Sequence, residues 1–209
     1  MGATCLYNNV GFIKSESELN EVDLDIKGVV QNINKIPYAG TYEVSCSGHF
    51  IEQDNCKADA IPHGSLSLVL CIRKPHITEL VKELFEFKEE HEGTSICAVT
   101  DKYIHHSFAE ELHDLSDINE KHIIGRTNEG YNITNLVIRQ TDLGSMGPDF
   151  SPSIMQKIDI SFPYYNEARQ RYEEIKKNWG ILKSRLDDYC SKYRFNNIDF
   201  EKKEFAPFG

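Results

Sequence analysis

Ser65-Leu66-Ser67-Leu68-Val69-Leu70-Cys71-Ile72 is almost continuously apolar, far too short to cross a bilayer, and reads as a strand buried inside a sheet. Pro75 then opens a helix in which Ile77, Leu80, Val81, Leu84 and Phe85 share one face, closing near Gly93. Ser95-Ile96-Cys97-Ala98-Val99 returns to the sheet. A strand, a helix and a second strand in succession predict an α/β fold, with α+β as its variant.

The same reading extends toward the N-terminus. From Asp23, a good N-cap, apolar residues fall at Leu24, Ile26, Val29, Val30, Ile33 and Ile36 with helical spacing until Pro37 stops them. After the turn Tyr38-Ala39-Gly40, the stretch Thr41-Tyr42-Glu43-Val44-Ser45-Cys46 alternates and is rich in β-formers, which predicts a strand ending at Ser47-Gly48-His49. Residues 50–64, with Asp54-Asn55, Asp59, Pro62 and Gly64, read as a loop.

Toward the C-terminus, residues 107–121 read as either a short helix or a turn-rich segment. Residues 122–126 and 131–141, separated by Thr127-Asn128-Glu129-Gly130, form a predicted β-hairpin. Residues 143–152 make a loop long enough to suggest a functional segment. Tyr165, Ala168, Tyr172, Ile175, Trp179, Leu182, Leu186, Tyr189 and Tyr193 then alternate spacings of three and four, with Ser161 and Pro163 at the start. This predicts one helix over about residues 162–194, weakest at Gly180, whose aromatic-rich stripe packs on its own domain rather than on a second chain. Together the elements predict one domain over residues 1–209, with a mixed sheet of five or six strands, flanking helices and the long C-terminal helix.

Composition narrows the classes of function. Of the 209 residues 27% are charged and 40% hydrophobic, an ordinary globular balance with no bilayer-length apolar run. The start Met1-Gly2-Ala3-Thr4-Cys5-Leu6 lacks the basic and apolar segments of a secretory signal, which sets the expectation of a cytoplasmic protein. Cysteines at 5, 46, 56, 71, 97 and 190 are dispersed, as reduced thiols are. A net charge of -10 disfavours RNA as a partner, because affinity for phosphate backbones comes from Lys and Arg displacing counterions. The basic residues Arg169, Arg171, Lys176, Lys177, Lys183 and Arg185 on the last helix are the candidate place for a phosphate-rich partner, though charges on an exposed helix face read first as an ordinary solvated surface.

Chemistry concentrates in Ser45-Cys46-Ser47-Gly48-His49. Small residues after a strand let the backbone turn and offer its N–H groups to a ligand, which marks Ser45, Ser47 and Gly48 as ligand-binding candidates. Cys46 with His49 has the makings of an activated thiol, since a neighbouring imidazolium lowers a thiol pKa, although only one of the two glycines of a nucleophile elbow is present. Zinc is the competing reading for Cys46, His49, Cys56 and His63, but their spacing matches none of the usual structural-zinc patterns, so no metal is expected. His105-His106 is weaker still, and His76, His91, His113 and His122 read as solvated or satisfied. Glu16, Glu18, Glu21, Asp23 and Asp25 form an acidic run able to attract a cation and otherwise solvated.

Ser45-Cys46-Ser47-Gly48, after a helix and a strand, resembles the serine-cysteine-small-glycine stretch of the archaeal and eukaryotic tRNA methyltransferase family of wybutosine synthesis. The order of elements that follows is similar too, with an apolar strand, a helix and a long C-terminal helix. That family carries arginine after the glycine, where this chain has His49. The resemblance implies S-adenosylmethionine as cofactor and tRNA as partner. Three functional expectations stand: a small-molecule ligand or active site at residues 45–49, a non-catalytic interaction protein using the C-terminal helix, and a zinc-binding protein.

Overall fold

Strand alternation decides which side of the main sheet meets the helices. The computed structural model describes residues 13–41, 45–53, 57–61, 63–72, 74–99, 109–141, 158–160, 165–203 and 205. Its helices are α1 (Glu16–Glu21), α2 (Leu24–Lys35), α3 (Pro75–Glu90) and α4 (Tyr165–Tyr193). Its strands are β1 (Ala39–Thr41), β2 (His49–Gln53), β3 (Lys57–Ile61), β4 (His63–Cys71), β5 (Thr94–Val99), β6 (Ala109–Leu112), β7 (Ile123–Arg126), β8 (Asn132–Thr141) and β9 (Ile158–Ile160).

Six strands form one sheet in the order β1-β4-β8-β5-β6, with β7 also on β8. β8 is its spine: β4 runs along one edge, and β5 and β7 share the other, Ile96 facing Ile138 and Ile123 facing Thr134. A second sheet has the order β2-β3-β9. Every described pairing is antiparallel, so the sheet that the sequence reading took as mixed adopts the α+β form of the expected fold.

Leu66, Leu68 and Leu70 of β4, Ile96 and Ala98 of β5, and Leu136 and Ile138 of β8 pack into one core with the helices. α2 contributes Ile26, Val29, Val30 and Ile33, and α3 contributes Ile77, Leu80, Val81 and Leu84. α4 is a single helix from Tyr165 to Tyr193, and Ile175, Trp179, Leu182 and Leu186 of its stripe are buried in the same core. Arg194, with φ of 60°, ends the helix in a left-handed turn, and the Phe195 N–H returns to the Cys190 carbonyl at 2.9 Å. Gly180 leaves the helix unbroken and faces solvent. Buried Lys202 closes the other side of the core by donating Nζ to the carbonyls of Asn34 and Ile36, at the C-terminal end of α2.

The described part of residues 50–64 is strand, not loop. β2 and β3 pair there from His49 opposite Ile61 to Gln53 opposite Lys57, and β4 already begins at His63. Two five-residue strands carrying His, Glu, Gln, Lys and Asp have little apolar alternation to announce them. Residues 107–121 contain β6 and two 3-10 turns, Leu115–Asp117 and Glu120–His122, each with a reciprocal capping box. The hairpin of residues 122–141 is present as β7 and β8. The acidic run at the start contains α1, capped where the Ser15 hydroxyl accepts from the Glu18 N–H at 3.2 Å. Residues 42–44 of the strand expected before Ser45, His105-His106, the loop of residues 143–152 and the helix start at Ser161 and Pro163 lie outside the described residues.

Candidate functional site

Cys46 sits at the edge of the main sheet, where two backbone hydrogen bonds with Ser65, at 2.8 and 2.7 Å, fix it beside β4. The chain then leaves that sheet at once. Gly48 has φ of 86°, a left-handed conformation that any side chain would resist, and the next residue, His49, opens β2 of the smaller sheet. Asp23 arrives from a third direction, as the residue before α2. Its position is that of an N-cap, yet its carboxylate makes no cap hydrogen bond. Oδ2 instead accepts from the Ser47 N–H at 3.0 Å.

These three elements bring three ligand-type atoms together. Cys46 Sγ lies 3.5 Å from His49 Nε2, and Asp23 Oδ2 lies 3.4 Å from the same nitrogen. Cys46 Sγ, His49 Nε2 and an oxygen of Asp23 all fall within 4.8 Å of one another. Cys46 is buried, while His49 and Asp23 keep 28% and 25% of their side chains exposed, so the cluster opens on one side. The Gly48 N–H points at Cys46 Sγ at 3.5 Å.

The geometry discriminates between two chemistries. In a Cys-His-Asp triad the acid holds Nδ1 so that Nε2 is free to take the thiol proton. Here the thiol and the carboxylate meet the same nitrogen, an arrangement that departs from that triad. Ligands of one ion converge in this way. Bond lengths of about 2.3 Å for zinc–sulfur and about 2.0–2.2 Å for zinc–nitrogen and zinc–oxygen place tetrahedral neighbours roughly 3.3–3.6 Å apart, which brackets the two separations seen.

Each residue singled out in the sequence can now be placed. Cys46 and His49, the pair read as catalytic, are in contact. Ser45, Ser47 and Gly48 are buried, and the N–H groups of Ser47 and Gly48 are directed inward at Asp23 and Cys46, so these residues build the cluster from behind. Cys56 lies outside the described residues, as does the side chain of His63. The third ligand-type residue is Asp23, which the sequence offered only as a helix cap and a member of an acidic run. No local signal pairs it with a motif so far along the chain. His76, His91 and His122 are satisfied by Pro37 O, Phe87 O and the Asn119 N–H, as expected of structural histidines.

An aromatic wall stands beside the site. Phe50, on the opposite face of β2 from His49, packs against Tyr165 at 5.3 Å and Tyr172 at 6.0 Å between ring centroids. Burial, with the charges of Asp25, Glu173 and Asp23, pushes the Tyr172 phenol above its ordinary pKa. The basic face of α4 is largely neutralised: Arg169 pairs with Glu52, Arg171 with Glu174, Lys176 with Glu173, Lys183 with Asp187 and Arg185 with Glu90. A groove of about 730 Å³ between α3 and the turn after β6, lined among others by Phe85, Glu86, His113 and Leu115, shares no residue with the cluster. None of the helices among the described residues is long and apolar enough to cross a membrane. No family model, no curated protein and no solved structure matches this chain.

Proposed function

We propose that the protein binds one zinc-class divalent ion through Asp23 Oδ2, Cys46 Sγ and His49 Nε2, leaving a fourth position for a small ligand. The observation that supports this reading is the meeting of a thiol and a carboxylate on one imidazole nitrogen at 3.5 and 3.4 Å. One soft thiolate, one imidazole and one carboxylate suit zinc or cobalt, and not magnesium or calcium, which take all-oxygen shells. Three protein ligands with an open position are also the makeup of catalytic rather than structural zinc, and such an ion acts as a Lewis acid on what it binds. The protein's share is to hold a ligand set open to solvent on the side of His49 and Asp23 and shielded at Cys46. S-adenosylmethionine and tRNA have no part in this reading.

Thermal denaturation of chelator-treated protein tests it. An ion that binds only the folded state raises its stability, by about 2.7 kcal/mol at a hundred times its dissociation constant. Zinc is expected to raise the melting temperature where magnesium does not, and Cys46→Ser and His49→Ala to abolish the rise. A wild-type transition indifferent to zinc, or a rise that survives both substitutions, would remove the reading.

A further inference from the structure

Trp179, the chain's single tryptophan, is fully buried, and its indole N–H donates to the Ser47 carbonyl oxygen at 3.2 Å. The N–H of the same Ser47 donates to Asp23 Oδ2 at 3.0 Å. The Ser47 hydroxyl has one proton and two acceptors in reach, Gly48 O at 3.0 Å and Asp23 Oδ2 at 3.3 Å, which leaves the backbone amide as the firmer hold on the carboxylate. Residue 47 is therefore pinned at its carbonyl by α4 and pins Asp23 with its amide.

Gly64 makes the approach possible. A Cβ there would lie 2.7 Å from Trp179 Nε1 and 2.9 Å from Cζ2, closer than packed atoms come, and 3.0 Å from Ser47 O, a tight contact. β4 has thus left room, in an otherwise filled strand, for the polar edge of the indole to reach the motif. Packing alone would be satisfied by a ring without the N–H.

We propose that Trp179 is a positioning residue of the metal site: through Ser47 it holds Asp23 Oδ2 beside His49 Nε2, so that the core face of α4 sets the affinity for the ion. This rests on the reading of Asp23, Cys46 and His49 as metal ligands. Hydrogen-bonded supports behind a ligand characteristically govern metal affinity by about 10- to 100-fold.

The test is a cobalt(II) titration of the full chain, followed by the thiolate-to-cobalt absorption band, with the melting temperature recorded beside it. Trp179→Phe keeps a ring in the core and removes the N–H; it is expected to weaken cobalt binding by about 10- to 100-fold. Leu182→Ala, in the same buried stripe but without a hydrogen bond to the motif, is expected to lower the melting temperature and leave the affinity unchanged. Trp179→Phe binding cobalt as tightly as wild type overturns the positioning role and leaves the metal site standing, whereas no band in wild type overturns both. If Trp179→Phe does not fold, Gly64→Ala displaces the indole from the other side, and unchanged affinity in that variant likewise overturns the proposal.

Discussion

Leu66, Leu68 and Leu70 on β4 face the helices with no surface left in solvent, whereas Ile51, Glu52 and Gln53 on β2 stand exposed just beyond His49. The first region is held by bulk: each leucine is one of many apolar side chains shared among α2, α3, α4 and the main sheet. In the second, the contacts among the described residues include Phe50 against Tyr165 and Tyr172 and the exposed ion pair of Glu52 with Arg169 at 3.2 Å. The apolar packing is concentrated in the first region. The candidate site lies on the seam, with Cys46 tied to the main sheet, His49 on the small one and Asp23 at the start of a core helix.

Substitutions on the two sides should differ accordingly. Trp179→Ala removes a fully buried indole from the large core and is expected to cost about 3–5 kcal/mol, a major part of the stability of a domain. Denaturant unfolding measures it, and a loss below about 1 kcal/mol would mean that the stripe of α4 is not core. Phe50→Ala removes two aromatic contacts of a half-buried ring and should cost about 1–2 kcal/mol. Its signature is local: faster hydrogen exchange at β2 and β3, with β4 and β8 protected as before. Exchange that quickened equally in both sheets would merge the two regions into one cooperative unit. The smallest effect is expected at Gly180, where an added Cβ meets nothing within 4 Å on an exposed helix face. Gly180→Ala should stabilise by about 0.5–1 kcal/mol, read as a raised denaturation midpoint.

How much of this was legible in the sequence follows the same division. α4 was visible because a buried helix face repeats every three or four residues, and Tyr165, Ile175, Trp179 and Leu186 keep that repeat within one element. β4 was visible because it is covered on both faces and so continuously apolar. β2 and β3 were not, since strands that leave Ile51, Glu52 and Lys57 in solvent carry the composition of a loop. Cys46 and His49 were legible from small residues and a glycine placed after a strand. Asp23 was legible only as a cap, because what gives it another partner is the tertiary fold that brings Ser47 to its carboxylate. A search for metal ligands confined to residues 46–63 contains Cys46 and His49 and passes over Asp23, which only the fold brings to them.

X-ray absorption at the zinc edge of the metal-loaded protein counts the sulfurs around the ion and measures their distance. The account predicts one sulfur at about 2.3 Å, from Cys46, and nitrogen or oxygen ligands at about 2.0–2.2 Å, with the sulfur shell lost in Cys46→Ser. A shell without sulfur, or one with two sulfurs, would contradict a centre built from Asp23, Cys46 and His49.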